Sequence, residues 1–539
     1  MNKDAWKDVQ PETQYQGEGS SHELAAVLLT ECIQHSRHAL KKPLYALYLD
    51  AKSAFDYVQK ELLIKNLFYV QPNQSLLYLN NRLTCRQTYI DWNGALMGPV
   101  EDSQGLEQGG VSSSDHYKIF ASEQLDSAQK SALGVKLGDV VVSAIGQADD
   151  TVLISNDIYS LLYLLQLTVS FCHKYCVELS PDKTRLQEFL PKSRKTYDIN
   201  DHTNPIKING QTIPFSSLAE HVGIIRSIDG NLPTLLSRFS AHKNALAAVL
   251  HTGLAKGHRG NPALSLRIHN LYGTPVLLSG IAPLVLSKSE VDLLEKHFRD
   301  VLRLLLRLHK NTPRSFIYFI AGSLPGSAIL HLRQMSIFGM ITRLPNNVLR
   351  QHALNVLSSR TISPSSWFFQ IRQYCIEYGL PHPLDLLTSP LTKSVFQTLI
   401  KKRVISFWEV KLRAEATQLR SLAYFKPGFM SLVRPHVLWS SASNSPYKVS
   451  MATVQAQLLS GRYRLGNLTK HWVKHYDGHC LLSPECSQTL EDVPHFLQLC
   501  PGLSDVRREL NSFTAATLLL KITCSQNPSF CQFLLDYFT

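Results

Sequence analysis

The chain has 539 residues, 44% of them hydrophobic and 18% charged, the make-up of a globular protein with material for about three or four domains. Its formal charge of +13 and pI near 9.1 point to a polyanionic partner, nucleic acid first and an anionic surface second. No run of about 18 uninterrupted apolar residues occurs, which excludes an expected membrane span, and ten cysteines are too sparse for a disulfide framework.

In chain order, residues 1–20 read as loop, neither signal-like nor Arg-rich. Ser20 and Ser21 are placed to cap a helix through HELAAVLLTECIQHSRHAL. LYALYLDA (Leu44 to Ala51) is a short apolar run that stops at Asp50, a buried strand with a carboxylate at its end. AFDYVQKELLIKNLFYV reads as a helix that carries Asp56 as a cap or structural carboxylate. Residues 75–95 mix helix and strand, with a turn in TYIDWNG. Gly109-Gly110 marks a turn before Ser112 to Ser114 and a further helix, which the serines would cap. GDVVVSAIGQADDTVLIS reads as a hairpin turning at Gln147 to Asp150. The next helix holds Cys172 and Cys176 in its core, and a small hairpin spans Ile206 to Ile225. Beyond about residue 230, Leu-, Arg-, Lys- and His-rich helical patterns dominate; WSSASNSPY (Trp439 onward) reads as a linker.

Phosphoryl transfer by two metal ions about 3.5–4 Å apart needs hard oxygen ligands converging on one point. A strand-end aspartate (Asp50) and a turn pair on a neighbouring strand (Asp149, Asp150) supply that pattern. Taken singly, an Asp-Asp turn is commonly a solvated turn. The order LDAKSAFD, LEQGG, QADD, SPDKT is more specific. It resembles the run of polymerase motifs in reverse transcriptases of the non-LTR (LINE-like) retrotransposon family, over roughly residues 20–350.

The resemblance implies an α+β right-hand polymerase palm with partial fingers, a helical thumb and a helical C-terminal region with a zinc-binding segment. It implies fingers and palm at 1–228, thumb at 229–350, connector at 351–445 and a Cys-Cys-His-Cys region at 446–539. Asp50, Asp149 and Asp150 would hold two Mg²⁺. Phe55 would exclude a 2′-OH, or is a core aromatic. Gln108 would contact the nucleotide, with Gly109 and Gly110 letting backbone approach the base pair. Lys183 would neutralise or protonate the leaving pyrophosphate, or is a solvated lysine. AEHVGI (Ala219 to Ile224) is similar to the family's primer-grip hairpin without its usual aromatic. The partners implied are an RNA template, a DNA primer and deoxynucleotides, with no membrane, in the nucleus or cytoplasm.

Glu290 to Arg314 reads as one amphipathic helix. Arg299, Arg303, Arg307, Lys310 and Arg314 share a face through spacings of three or four, either a solvated face or one that follows a nucleic-acid backbone. Cys480-x5-Cys486-x8-His495-x4-Cys500 supplies three thiolates and an imidazole for a tetrahedral Zn²⁺, or three core cysteines and a core histidine; His475 and His479 lie nearby. It also resembles a segment that follows the polymerase in non-LTR elements. The family's fingers are longer than the roughly 50 residues before Asp50, and its fingers Arg falls near Gln16. This predicts a truncated chain with weak catalysis, or a retroelement-derived protein that binds nucleic acid without copying it.

Overall fold

The computed structural model describes residues 13–15 and 21–505, apart from 53, 69–72, 85–86, 102–103, 108, 111, 192–205, 250–259, 346, 424, 426, 443–445 and 472. Helices and strands are mixed, as the α+β expectation requires. The chain divides into two compact units: Met1–Leu235 with Gly280–Leu286 and Arg333–Thr398, and Leu236–Ser279 with Ser287–Leu332 and Leu399–Thr539.

The first unit is built on a four-stranded antiparallel sheet. Its strands are β1 (Leu44–Leu49), β2 (Ala144–Gln147), β3 (Asp150–Ser155) and β4 (Arg185–Phe189), in the order β2-β3-β1-β4. β1 is buried at all six positions, because both of its faces are covered. Tyr45, Leu47 and Leu49 join the core with Phe120, Leu125 and Leu164, from helices α2 (Ser113–Lys130) and α3 (Ile158–Tyr175). Successive side chains alternate along a strand, so Ala46, Tyr48 and then Asp50 face the other way. A hairpin of β5 (Leu218–His221) and β6 (Ile224–Ser227) lies on that side, with the His221 ring 5.8 Å from that of Tyr48.

Several local expectations are corrected. Helix α1 spans His22–Gln34 and continues as a π-helical turn, His35–Leu40; Ser21 sits at its N-cap but its hydroxyl makes no capping bond. The segment after Asp50 is not one helix. Residues 54–57 are turns that include Asp56, and the helix is confined to Lys60–Phe68. The reason is non-local: Phe55 O and Val58 O accept from the amides of Leu106 and Gly105, both at 2.8 Å, so their carbonyls are unavailable to a helical ladder. Ser112 likewise makes no side-chain cap. Cys172 is buried, whereas Cys176 is exposed at the C-cap of α3 in the left-handed region. In place of one hairpin over 206–225 there are two, at Lys207–Thr212 and at β5–β6.

In the second unit the expected single basic helix is two. α4 (Lys288–Leu305) opens with a capping box between Ser287 and Glu290. Arg307 then takes φ +54, and Arg314 is the first residue of α5 (Arg314–Ala321), after Pro313. Proline disfavours helical backbone at the residue before it, so no helix runs through Thr312 into α5. Trp439, expected in a linker, is fully buried and donates its indole N–H to Ile320 O at 3.0 Å. Among the described residues no single helix is long and apolar enough to cross a membrane.

Candidate active site

β2 and β3 are joined by a two-residue turn, Ala148-Asp149, with Ala148 at φ +57. The turn brings the aspartate pair to the sheet end at which β1 delivers Asp50, since Leu49 is paired with Thr151. Asp149 and Asp150 are exposed. Asp150 keeps a face open to solvent, yet the protein packed around it, and then the carboxylates of Asp149, Asp50 and Glu220, push its carboxyl up to about 6; a hydrogen bond from the Val222 backbone opposes them. The three aspartates are thus electrostatically coupled, although they do not form a group whose ligand atoms all lie within 4.8 Å.

Asp50 is held by the SPDKT segment. Its carbonyl accepts from Ser180 N at 2.7 Å, and its amide lies 3.5 Å from Thr184 Oγ1. Its Oδ2 has no hydrogen-bond partner and lies 3.6 Å from the ammonium of Lys183, which is 72% exposed. A carboxylate oxygen without a hydrogen bond, facing only an exposed lysine, beside a mutually repelling acidic group is a donor set suited to a hard divalent cation, so these residues fit Mg²⁺.

Phe55 is half-buried and stacks on Tyr117 of α2, with centroids 4.6 Å apart and planes at 22°. Burial, and then Asp149, push the Tyr117 phenol up. Gly109 takes φ +83 with open space where a Cβ would stand, while a Cβ at Gly110 would meet Ser113 Oγ at 2.5 Å. Gln108 lies outside the described residues, as does Gln16. Sequence reasoning missed Tyr117, Glu220 and the Val222 amide. For Glu220 and Val222 the signal was their place in AEHVGI, with the alternation in LAEH turning Ala219 and His221 inward and Glu220 outward; Tyr117 carried none.

The basic residues of the second unit are engaged locally. Arg303 pairs with Asp300 at 2.6 Å, Arg307 donates to Gly260 O at 3.1 Å and Arg314 pairs with Glu415 at 2.8 Å. Arg299 is half-buried and Lys310 exposed. The break after Leu305 therefore divides the expected continuous face.

Cys480, Cys486, His495 and Cys500 are all buried, with their ligand atoms within 4.8 Å of one another. Cys500 Sγ lies 3.7 Å from Cys480 Sγ and 3.9 Å from Cys486 Sγ. Those separations are far beyond the roughly 2.05 Å of a disulfide. They match the edge of a tetrahedron about a metal with M–S near 2.3 Å, about 3.8 Å. His495 Nε2 has no partner. Burial, and then the neighbouring sulfurs, push the Cys480 thiol up to about 12. The donor set fits Zn²⁺. His479 is instead paired with Asp477 at 2.7 Å.

No curated protein matches the chain. Among solved structures it is similar to telomerase from Candida albicans in complex with a TWJ fragment of telomeric RNA. That likeness has 12% identity and a TM-score of 0.28 over 72% of this chain, and a score so low carries no argument. The chain spans 56% of the length of that telomerase chain. Residues 5–213, which include the four-stranded sheet and all three aspartates, match the family described as reverse transcriptase (RNA-dependent DNA polymerase). Over residues 5–213, then, the chain is similar to the reverse transcriptase (RNA-dependent DNA polymerase) family.

Proposed function

We propose that the chain is the polymerase part of a non-LTR retroelement reverse transcriptase, acting by two-metal nucleotidyl transfer. The observation that supports this most is the delivery of Asp50, Asp149 and Asp150 to one sheet end inside the matched segment. Asp50, Asp149 and Asp150 would hold two Mg²⁺, which when bound stabilise the attacking and leaving oxygens of an in-line displacement. Phe55, backed by Tyr117, would restrict the sugar. Gln108 with Gly109 and Gly110 would lie along the base pair, and Lys183 would answer charge on the leaving group. Arg299, Arg303, Arg307 and Lys310 would follow a template–primer backbone, and Cys480, Cys486, His495 and Cys500 would hold a structural Zn²⁺. The partners would be an RNA template, a DNA primer and deoxynucleotides, in the nucleus or cytoplasm, with a division into palm, thumb, connector and Cys-Cys-His-Cys regions.

The test is primer extension by the full chain on an RNA template with Mg²⁺, with Asp149→Asn as control. Extension lost in Asp149→Asn supports the reading. Salt-sensitive nucleic-acid binding without extension replaces it with a catalytically inactive nucleic-acid-binding protein of retroelement origin.

A further inference from the structure

β2 is the outermost strand in the order β2-β3-β1-β4, and an edge strand leaves every second N–H and C=O without a ladder partner. At Gly146 both groups are taken by a segment that reads as loop in the sequence. Gly146 N–H donates to Thr13 O at 3.1 Å, and Tyr15 N–H donates to Gly146 O at 2.9 Å, with Gln14 opposite Gly146 in a parallel bridge. Loops ordinarily run over the surface, yet Thr13, Gln14 and Tyr15 are all buried.

Their side chains show which residue holds the segment in place. Thr13 Oγ1 and both amide atoms of Gln14 are buried without a partner, which costs stability. Tyr15 is the anchor: it is fully buried, and its hydroxyl donates to Asn347 Oδ1 at 3.2 Å. That oxygen also accepts from Leu349 N–H at 2.9 Å, as the N-cap of the helix Val348–Ser358. Gly146 is closed in on another side by α2, where a Cβ would meet Leu125 Cδ1 at 2.7 Å. β2 ends at Gln147, next to Gly146, and Gln147 pairs with Asp150 across the Ala148-Asp149 turn. The strand that delivers the aspartate pair is thus fastened immediately before its end.

We propose that Tyr15 is a positioning residue for the aspartate turn: anchored on Asn347, it clamps the segment Thr13–Tyr15 against Gly146 and so fixes the strand end that carries Asp149 and Asp150. Tyr15 is not itself a catalytic residue; it acts through the two backbone bonds at Gly146. Metal ligands must be held to within about 0.5 Å of the productive geometry, and a strand bonded on both sides is held more closely than a free edge.

The inference rests on the polymerase reading, and its test is chosen to be separable from it. Amide hydrogen exchange is measured on the full chain, without metal, for wild type, Tyr15→Ala, Tyr15→Phe and Asn347→Ser, whose hydroxyl still caps the helix but is too short to reach the phenol. The expected result is about tenfold or more faster exchange at Gly146 and at Asp150 in Tyr15→Ala. Tyr15→Phe and Asn347→Ser, which lose one hydrogen bond, show a rise of about fivefold, and exchange in β1 and α3 is unchanged. A merely structural role would stop there. A positioning role also weakens Mn²⁺ binding, measured by titration, by about fivefold or more in Tyr15→Ala, with partial recovery in Tyr15→Phe. Where the chain extends a primer, kcat falls by about tenfold in Tyr15→Ala while KM for template–primer changes less than about threefold. Tyr15→Phe and Asn347→Ser carry the test if Tyr15→Ala fails to fold. Wild-type exchange at Gly146 or at Asp150 in the folded variants overturns the proposal, as does faster exchange with unchanged Mn²⁺ affinity. Absence of primer extension or of Mn²⁺ binding by wild type counts against the polymerase reading alone, and the exchange at Gly146 and Asp150 then decides the clamp.

Discussion

Phe55 and Tyr117 stack face to face at 4.6 Å, and Tyr117 in turn feels the charge of Asp149. The stack joins the turn after β1 to helix α2, so the Phe55 ring is backed by a buried side chain. Shortening it to Val removes the ring that would meet a 2′-oxygen. Phe55→Val is expected to raise ribonucleotide incorporation relative to deoxynucleotide by about tenfold or more, the scale of about 1.4 kcal/mol of lost discrimination. Competitive primer extension measures it; an unchanged ratio makes Phe55 a core aromatic only.

Asp150 titrates near 6 because protein and three carboxylates crowd it. Its folded value lies above the ordinary carboxylate value, so in the metal-free protein stability falls as pH rises from about 4 to about 6. Asp150→Asn removes that repulsion. With the shift discounted for solvent screening at an exposed side chain, the variant should be more stable at pH 7.5 by about 1 kcal/mol, while metal binding and extension are lost. Denaturant midpoints at pH 7.5 and pH 4 check this: the gain should be confined to the higher pH, and an equal gain at both would leave repulsion out of the explanation.

What could be read in the sequence was whatever depends on local order. An apolar run ending at Asp50 and a polar pair between two apolar runs are enough to place carboxylates at strand ends, and period-two alternation does the rest. What could not be read depends on distant partners. Residues 54–57 turn because Leu106 and Gly105 claim the carbonyls of Phe55 and Val58, a contact no helical periodicity records. Trp439 stands in a Ser-rich stretch that suggests a linker, but it is held by a carbonyl from α5. The basic repeat from Arg299 to Arg314 is continuous as a pattern, yet the helix ends at Leu305, Arg307 turns left-handed and a new helix begins only at Arg314. Arg226 carried no motif, and Glu220 only its place in AEHVGI; only folding brings one against α1 and the other near Asp150.

Three imidazoles pack together in the second unit. His242 Nδ1 lies 3.0 Å from His297 Nε2, and the ring of His269 is 5.2 Å from that of His242. Burial first, then neighbouring imidazoles, lower His242 to about 3 and, with His297 as neighbour, His269 to about 4. Both are fully buried and neutral at pH 7. Their folded values lie below the unfolded value of 6.5, so their stabilising effect is complete above 6.5 and is lost as pH falls towards 4. Each contributes a slope of up to about 1.4 kcal/mol per pH unit in that window. His242→Phe should flatten the acid limb of denaturant midpoints between pH 6.5 and 4.5. An acid limb as steep as in wild type would place the sensitivity elsewhere.

The thiol cluster makes the last prediction, because its spacing and its protonation pull in opposite directions. Sulfurs 3.7 and 3.9 Å apart suit a tetrahedral metal shell, but without a metal Cys480 is a neutral thiol, pushed up to about 12, and Cys500 is raised too. Zinc must therefore displace protons, so its affinity should rise steeply with pH between 6 and 8. The full chain purified in zinc is expected to carry one equivalent, and Cys500→Ser, which removes the sulfur close to both others, should carry none. His495→Ala should weaken binding without abolishing it, since three thiolates remain. Metal content and a cobalt-substituted spectrum with tetrahedral thiolate bands read this out. Because the metal would tie Cys480, just past the isolated bridge of His479 with Leu490, to Cys500 at the end of the turn His495–Leu499, chelation should also expose the C-terminal region to proteolysis before the sheet of the first unit. A zinc-free chain with intact protease resistance there would return these four residues to the role of an ordinary buried core.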